Sequence, residues 1–396
     1  MVSRCGASMR VLILVEACGG VARHVTDLCA GLKSRGIDVH LLYSPVREDA
    51  VLRTGLERLA ALAVPLKTIA MGPAPRLADL GAWCAIRQYI KDNGPFDIIH
   101  GHSSKAGALA RLAVGGGRAV KVYTPHAFVT MNPDMGLPRR LLYRGLEHCL
   151  ALLGDAVIAT SPAELVHARS VLRIPEKKLF LVPNGIALPV GMPESARDEL
   201  RKAWGVQDDE VVIGTVSRFV PQKDPELLIR AFARVAPGHR KARLVMVGDG
   251  PLRQQIEKAA EVHGISRAVV LPGYVDGGQA MVAFDIFALS SRYEGFPYVL
   301  LDALAVGLPI VTTAVGGAEL AVAEGLNGFV VPVGGEREMA DRLTRVVASP
   351  AERQRMGVIS LARGRDFGAA GMTNDTVAVY ASLLDRSRGQ RIIPAS

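Results

Sequence analysis

The chain is poor in several things, and each shortage narrows what it can be. Aromatic residues make up 5% of its 396 positions, while valine, leucine, alanine and glycine are abundant, a balance that suits buried parallel strands alternating with helices. The five cysteines, Cys5, Cys18, Cys29, Cys84 and Cys149, all lie in the first half and show neither a Cys-x-x-Cys pair nor metal-like spacing. They read as reduced thiols of a cytosolic protein. No window reaches the ~18 uncharged apolar residues of a membrane span. The N-terminal apolar run, Val11 to Val15, is too short for a secretory signal. Met9, directly before a predicted strand, reads as the true start, with residues 1–8 a disordered or misassigned leader.

Two motifs are missing as well. The first strand, Arg10 to Val15, feeds the loop EACGG and then a helix, so Gly19 and Gly20 stand at a helix N-terminus able to take phosphate oxygens. The loop is not Gly-x-Gly-x-x-Gly, however, and the second strand ends in Tyr43-Ser44 with no acid to hold an adenosine ribose, which disfavours a nicotinamide enzyme. No Asp-x-Asp metal motif occurs either. Acid is also short in one half: Met1 to Met192 holds 23 Lys+Arg against 14 Asp+Glu, net +9, while Pro193 to Ser396 holds 24 of each. An anionic partner for the first half, whether a membrane surface, a phosphorylated acceptor or nucleic acid, is one reading, and a merely basic solvated surface is the other.

What is present is a strand and helix alternation that runs through two halves, with a hinge expected at Pro189 to Pro193. The pattern centres on SSRYEGFPYVLLDALAVGLPIVTTAVGG, from Ser290 to Gly317. A strand, Ile286 to Leu289, enters a polar loop with Glu294; Gly295 and Phe296 follow, and Pro297 suits the first position of a helix. Asp302 lies eight residues after Glu294, flanked by Leu300, Leu301, Ala303 and Leu304, where a carboxylate needs a partner or a wet cleft. On the residues alone, the two acids are equally readable as a helix cap with a structural ion pair and as a bracket around one ligand. Upstream, the strand Val211 to Val216 opens into SRFVPQKD, where Arg218 and Lys223 stand beside a helix starting at Pro225 and can converge on a diphosphate. In the first half, the strand Asp97 to His100 runs into GHSSKAG, and another, Ala119 to Tyr123, ends in TPHAF. His102, Lys105 and His126 therefore stand at the carboxyl ends of strands, where open α/β sheets bind ligands. Helix Pro138 to Leu153 is basic and amphipathic, which fits either a bilayer surface or packing on its own sheet.

The segment EGFPYVLLDALAVGLPIVTTAVGG resembles the donor-binding signature of the family 4 glycosyltransferases, and the resemblance extends over nearly the whole chain. It implies a GT-B fold: α/β, with two doubly wound Rossmann-like domains facing across a cleft. The expected domains are 1–190 on the acceptor side and 191–372 on the donor side, with 373–396 as a helix crossing back to the first domain plus a tail. The resemblance implies a retaining, metal-independent enzyme with no cofactor. Glu294 matches the family acid that holds the transferred sugar. Asp302 stands where the family has a glutamate on the ribose, one methylene shorter. Arg218 and Lys223 match the diphosphate clamp, Val275 the base-reading turn, and Gly19, Gly20, Gly295 and Phe296 the remaining donor contacts. His126 matches a histidine near the reaction centre, acting as a hydrogen-bonding group and not as a metal ligand. His102 and Lys105 are acceptor-side candidates, because HSSKAG stretches occur in members that build exopolysaccharides and lipid-linked glycans. The implied partners are a nucleotide-sugar, with a UDP-hexose expected, a glycan or polyprenyl-linked acceptor, and an anionic membrane surface on the inner face of the cytoplasmic membrane; nucleic acid is not among them. The rival readings are a nucleotide-sugar 2-epimerase of the same fold and a non-catalytic nucleotide-sugar-binding protein.

Overall fold

The computed structural model describes residues 9–72, 76–113, 119–187 and 195–389. The expected hinge from Pro189 to Pro193, the leader and Cys5 lie outside the described residues. The chain divides into two compact units, Met1–Gly185 with Ala369–Ser396, and Ile186–Gly368.

The first unit is built on β1 (Arg10–Val15), β2 (Asp38–Tyr43), β3 (Leu66–Thr68), β4 (Ile98–His102), β5 (Val120–Thr124), β6 (Ala156–Ala159) and β7 (Leu179–Leu181). They lie side by side in the order 3-2-1-4-5-6-7, every pair parallel. Parallel strands are covered on both faces by their crossover helices, so their sequences are continuous apolar runs and not alternating ones; Val11 to Val15 are all fully buried. Strand β4 ends two residues later than expected. The register that sets Val15 opposite His102 and His102 opposite Thr124 draws His102 into the sheet, where the sequence placed it in the loop. The last helix, Ala369–Gly389, belongs to this unit and puts Met372, Val379, Tyr380 and Leu383 into the core that holds Cys29 and Leu32.

The second unit contains β8 (Val211–Val216), β9 (Ala242–Val247), β10 (Val269–Gly273), β11 (Ile286–Leu289), β12 (Ile310–Thr313) and β13 (Gly328–Val331), again all parallel, in the order 10-9-8-11-12-13. Pro297 is not the first helical residue here. Its ψ of 129° is extended, so it caps helix Tyr298–Ala305 from outside; its missing N–H is no loss in either place. Each sheet reverses its winding once, between β1 and β4 and between β8 and β11. Ligand crevices in such sheets form outside the carboxyl ends of the strands at those reversals. Among the described residues no helix is long and apolar enough to cross a membrane.

Candidate functional site

In the second unit, the loops leaving β8 and β11 meet at that reversal. The first carries a single 3-10 turn, Pro221–Lys223, followed by Asp224, whose side chain caps helix Pro225–Val235 through the Leu227 N–H. Lys223 Nζ reaches Glu294 Oε1 at 2.5 Å, and Gln222 Nε2 donates to the Tyr293 carbonyl at 3.0 Å and to Glu294 Oε2 at 3.4 Å. Ser290 Oγ donates back to the Lys223 carbonyl at 2.9 Å. The two loops are thereby stitched into one polar floor, with Glu294 itself only 7% exposed. Arg218 lies exposed in the same loop. The loop's path is fixed from the β9 side: Gly248, at φ +131°, approaches so closely that a Cβ there would sit 1.9 Å from the Ser217 carbonyl oxygen.

Other donor candidates fall into place less directly. Phe296 is buried against Phe367, ring centroids 5.5 Å apart, and Gly317 lies on it so tightly that a Cβ would meet the ring at 2.1 Å. The Phe296 side chain is thus a packing group, and contact from Gly295 and Phe296 falls to the backbone. Asp302 is 8% exposed on helix Tyr298–Ala305, between fully buried Leu300, Leu301 and Leu304. Val275 is half-buried just beyond β10.

In the first unit, four histidines gather where β1, β4 and β5 end. His102 Nδ1 and His126 Nε2 are 3.0 Å apart; the His24 ring lies 4.6 Å from His126 and 5.3 Å from His102, and the His100 ring 4.0 Å from His102. His24 Nδ1 is tied to Asn184 Oδ1 at 3.0 Å, and His100 to Tyr380 Oη and Thr124 Oγ1 at 2.6 and 2.8 Å. Burial disfavours the charged imidazolium, so His24 is pushed down to about 4, and His100, His102 and His126 lie well below the ordinary histidine value. The cluster is neutral at pH 7. His102 Nε2 is buried without a hydrogen-bond partner.

His126 has φ +54° and the following Ala127 φ +87°, both in the left-handed region that side-chain-bearing residues avoid. Glu164 stabilises this turn. The sequence reads Ser161-Pro162-Ala163-Glu164 as a capping box, and half of it forms: Ser161 Oγ accepts from the Glu164 N–H. The Glu164 carboxylate, fully buried, instead accepts from the Ala127 N–H at 2.6 Å and from the Thr160 N–H and Oγ1 at 2.6 and 3.0 Å. Its burial raises its pKa, against the pull of those donors.

Two expected contacts are already engaged inside the unit. The Gly19 N–H, at the head of helix Gly20–Ser34, donates to Asp49 Oδ2 at 2.7 Å, so a phosphate oxygen would have to displace a carboxylate there. Lys105 is ion-paired with Asp79 and nine-tenths buried, and its charge is met within the unit. Sequence reasoning missed His24, Asn184 and Glu164. Glu164 was legible only as a capping-box residue and Asn184 only as part of a turn, while His24 sits one helical turn beyond the Gly19-Gly20 turn. The side chains of His24, His102 and His126 each offer a nitrogen, and these lie within 4.8 Å of one another. Such a set suits an imidazole-binding ion of the zinc or nickel kind and not an oxygen-seeking magnesium.

Two doubly wound parallel-sheet units, each with its polar groups at the winding reversal, define the GT-B class of glycosyltransferases. Residues 196–360 match the family model "Glycosyl transferases group 1" and residues 18–188 the model "Glycosyltransferase Family 4". Between them these matches run over nearly the whole chain, which belongs to the family 4 glycosyltransferases. The chain is 27% identical over 392 residues to the D-inositol 3-phosphate glycosyltransferase of Actinosynnema mirum, covering 93% of each. It is 36% identical over 196 residues to the Vi polysaccharide biosynthesis protein VipC/TviE of Salmonella typhi, covering 48% of this chain and 34% of that one. Among solved structures, Anabaena HepE in complex with UDP and glucose is similar, with a TM-score of 0.79 at 23% identity over 94% of this chain and all of that one.

Proposed function

We propose that this glycosyltransferase moves a hexose from a nucleoside diphosphate donor, a UDP-hexose, to a glycan or polyprenyl-linked acceptor, with retention of anomeric configuration and without a metal. The observation that carries the reading is the Lys223–Glu294 pair at the winding reversal of the second unit. With donor bound, Lys223 would turn from Glu294 to the diphosphate beside Arg218, leaving Glu294 to accept from sugar hydroxyls. Negative charge builds on the leaving diphosphate as the anomeric bond breaks, and preorganised cations contribute most at that point. The solved HepE complex with UDP and glucose supports the choice of donor. His126 would hydrogen-bond the sugar. A proton on His102 Nδ1 leaves only a lone pair at the unpartnered Nε2 and makes His126 Nε2 the acceptor, so His126 presents Nδ1–H as a donor.

A phosphate-bearing polyol is a second acceptor reading, favoured by the full-length similarity to D-inositol 3-phosphate glycosyltransferases. The test is incubation with labelled UDP-hexoses and either membrane lipid extract or inositol phosphate, for the wild type, Lys223→Ala and Glu294→Ala. Acceptor-dependent transfer that falls by orders of magnitude in both variants is expected. Near-normal turnover in both would refute the site, and donor conversion without acceptor would make the protein an epimerase.

A further inference from the structure

Three of the four clustered histidines of the first unit form a set that sugar transfer does not call for. His24 comes from the second turn of helix Gly20–Ser34, His102 from the end of β4 and His126 from the turn that follows β5. Each offers one nitrogen, and the three nitrogens lie within 4.8 Å of one another. Two nitrogens on a tetrahedral zinc ion, with bonds of about 2.0–2.1 Å, are separated by ~3.3 Å. His102 Nδ1 and His126 Nε2 are already 3.0 Å apart, and the widest pair in the set has to close by no more than about 1.5 Å.

The groups behind the rings are those that orient ligands. Asn184 Oδ1 lies 3.0 Å from His24 Nδ1; a proton held there leaves the lone pair on Nε2, and metal-bound histidines are commonly fixed through an oxygen on their other nitrogen in this way. His102 Nε2 is buried without a hydrogen-bond partner, so nothing on that side of the ring fixes its tautomer. Glu164 holds the turn beneath His126 by accepting from the Ala127 N–H. His100, by contrast, has both nitrogens engaged, with Tyr380 Oη and Thr124 Oγ1, and stays outside the set. His24 and His102 are buried while His126 is partly exposed, which gives an ion a way in.

We propose that His24, His102 and His126 bind a single ion of the zinc class, and that the bound ion holds the transferase off. Three imidazoles with no carboxylate among them favour zinc, cobalt(II), nickel or copper(II) over magnesium, and they leave the fourth position of a tetrahedral ion to water. The proton that His102 directs from Nδ1 to His126 passes to its own Nε2, so none is released and the two facing lone pairs both go to the ion. A divalent charge at His126 then opposes the positive charge that develops on the anomeric carbon as the donor breaks. The inhibition rests on the transferase reading, but the site does not, and its occupancy is read without sugar donor so that the two fail separately. Full-length protein freed of metal with a chelator is titrated with cobalt(II) and, separately, dialysed to equilibrium with zinc. One zinc per chain is expected, with the intense visible absorption of tetrahedral cobalt, which zinc displaces. Asn184→Ala keeps all three ligands and should weaken zinc by about 10–100-fold. His24→Asn should not bind at the same concentration, and His263→Gln, at an exposed histidine, should bind as wild type does. Thermal unfolding checks the fold of each metal-free variant, and Asn184→Ala carries the test where His24→Asn is unstable. Absence of bound zinc, the pale spectrum of octahedral cobalt, undiminished affinity in Asn184→Ala, or loss of the ion in His263→Gln would each overturn the proposal.

Discussion

Replacing Glu164 tests whether the turn that carries His126 is held from behind. The carboxylate is fully buried and accepts from two backbone N–H groups, of Ala127 and Thr160, and from the Thr160 hydroxyl. Glu164→Gln keeps the shape but turns one oxygen into an NH2 group that faces a backbone donor, leaving one buried N–H unpaired at a cost of about 1–3 kcal/mol. Glu164→Ala orphans both, at about 2–6 kcal/mol, a large share of the ~5–15 kcal/mol that holds a domain together. His126 and Ala127 sit at φ +54° and +87°, each strained by about 1–3 kcal/mol, so the freed turn should relax and carry the imidazole off its aim. Urea unfolding reads the first effect and initial transfer rates at a temperature where both proteins are folded read the second. Transfer by the folded Gln variant should fall at least about tenfold, the equivalent of ~1.4 kcal/mol. The decisive comparison is a double-mutant cycle with His126→Ala. If Glu164 acts through His126, the second substitution should cost little once the first is made. Fully additive losses would refute the positioning role, as would a Gln variant within ~0.5 kcal/mol of wild-type stability.

Three other outcomes follow from the geometry. Asp302→Glu, which restores the methylene that the family has at this place, should leave transfer unchanged or raise it; a collapse in the steady-state rate would mean that the shorter acid has a separate task. Dialysis against EDTA should leave transfer intact, while added zinc should inhibit by closing His24, His102 and His126 around one ion; metal analysis of the dialysed protein, with loss of activity on chelation, would instead make the ion a requirement. On pH the sign is fixed: imidazoles held below their ordinary value stay neutral in the fold while the unfolded chain takes up protons, so their stabilisation is complete above pH ~6.5 and is lost as pH falls toward about 4. Each contributes a slope of about 1.4 kcal/mol per pH unit, and His24, His100, His102, His126 and His167 act together. Urea midpoints between pH 7.5 and 5 should therefore drop steeply, and a flat profile would contradict the burial of the cluster.

The site in the second unit was more readable in the sequence than the one in the first, for a physical reason. Arg218, Lys223 and Glu294 lie on two loops that leave neighbouring strands of one sheet, so a strand and a loop, read in order, bring them to one edge, with Asp302 on the helix that follows. Strand β8 and strand β11 emerged from their apolar runs at their true limits. Strands β12 (IVTT) and β13 (GFVV) were not singled out in the sequence. In the first unit the decisive contacts span the chain. His24 meets Asn184 across 160 positions and His100 meets Tyr380 across 280. Glu164 showed why a local motif misleads: its spacing from Ser161 is that of a capping box, but the carboxylate gains more by satisfying two buried N–H groups than by closing on its own helix. Helix Leu137–Leu153 shows a limit of periodicity itself, which marks an apolar face without saying whether protein or something else covers it.

The two units treat charge in opposite ways, and the contrast fits the proposed chemistry. In the second unit Lys223 is paired with a carboxylate and Arg218 lies in solvent, the two cations that the proposal turns toward the leaving diphosphate. The first unit, though far more basic overall, keeps its central histidines uncharged by burying them together. At a breaking glycosidic bond the sugar carbon becomes electron-poor as the diphosphate becomes electron-rich, so cations stabilise the leaving side and would oppose charge on the sugar side. Neutral imidazoles can donate hydrogen bonds to hydroxyls there without adding that repulsion. The acid limb of activity should on this account follow protonation of the histidine cluster and disappear with it. In His24→Asn the fall in transfer as pH drops from 5.5 toward about 4 should flatten relative to wild type when rates are normalised to folded protein, and an unchanged limb would place the titrating group elsewhere.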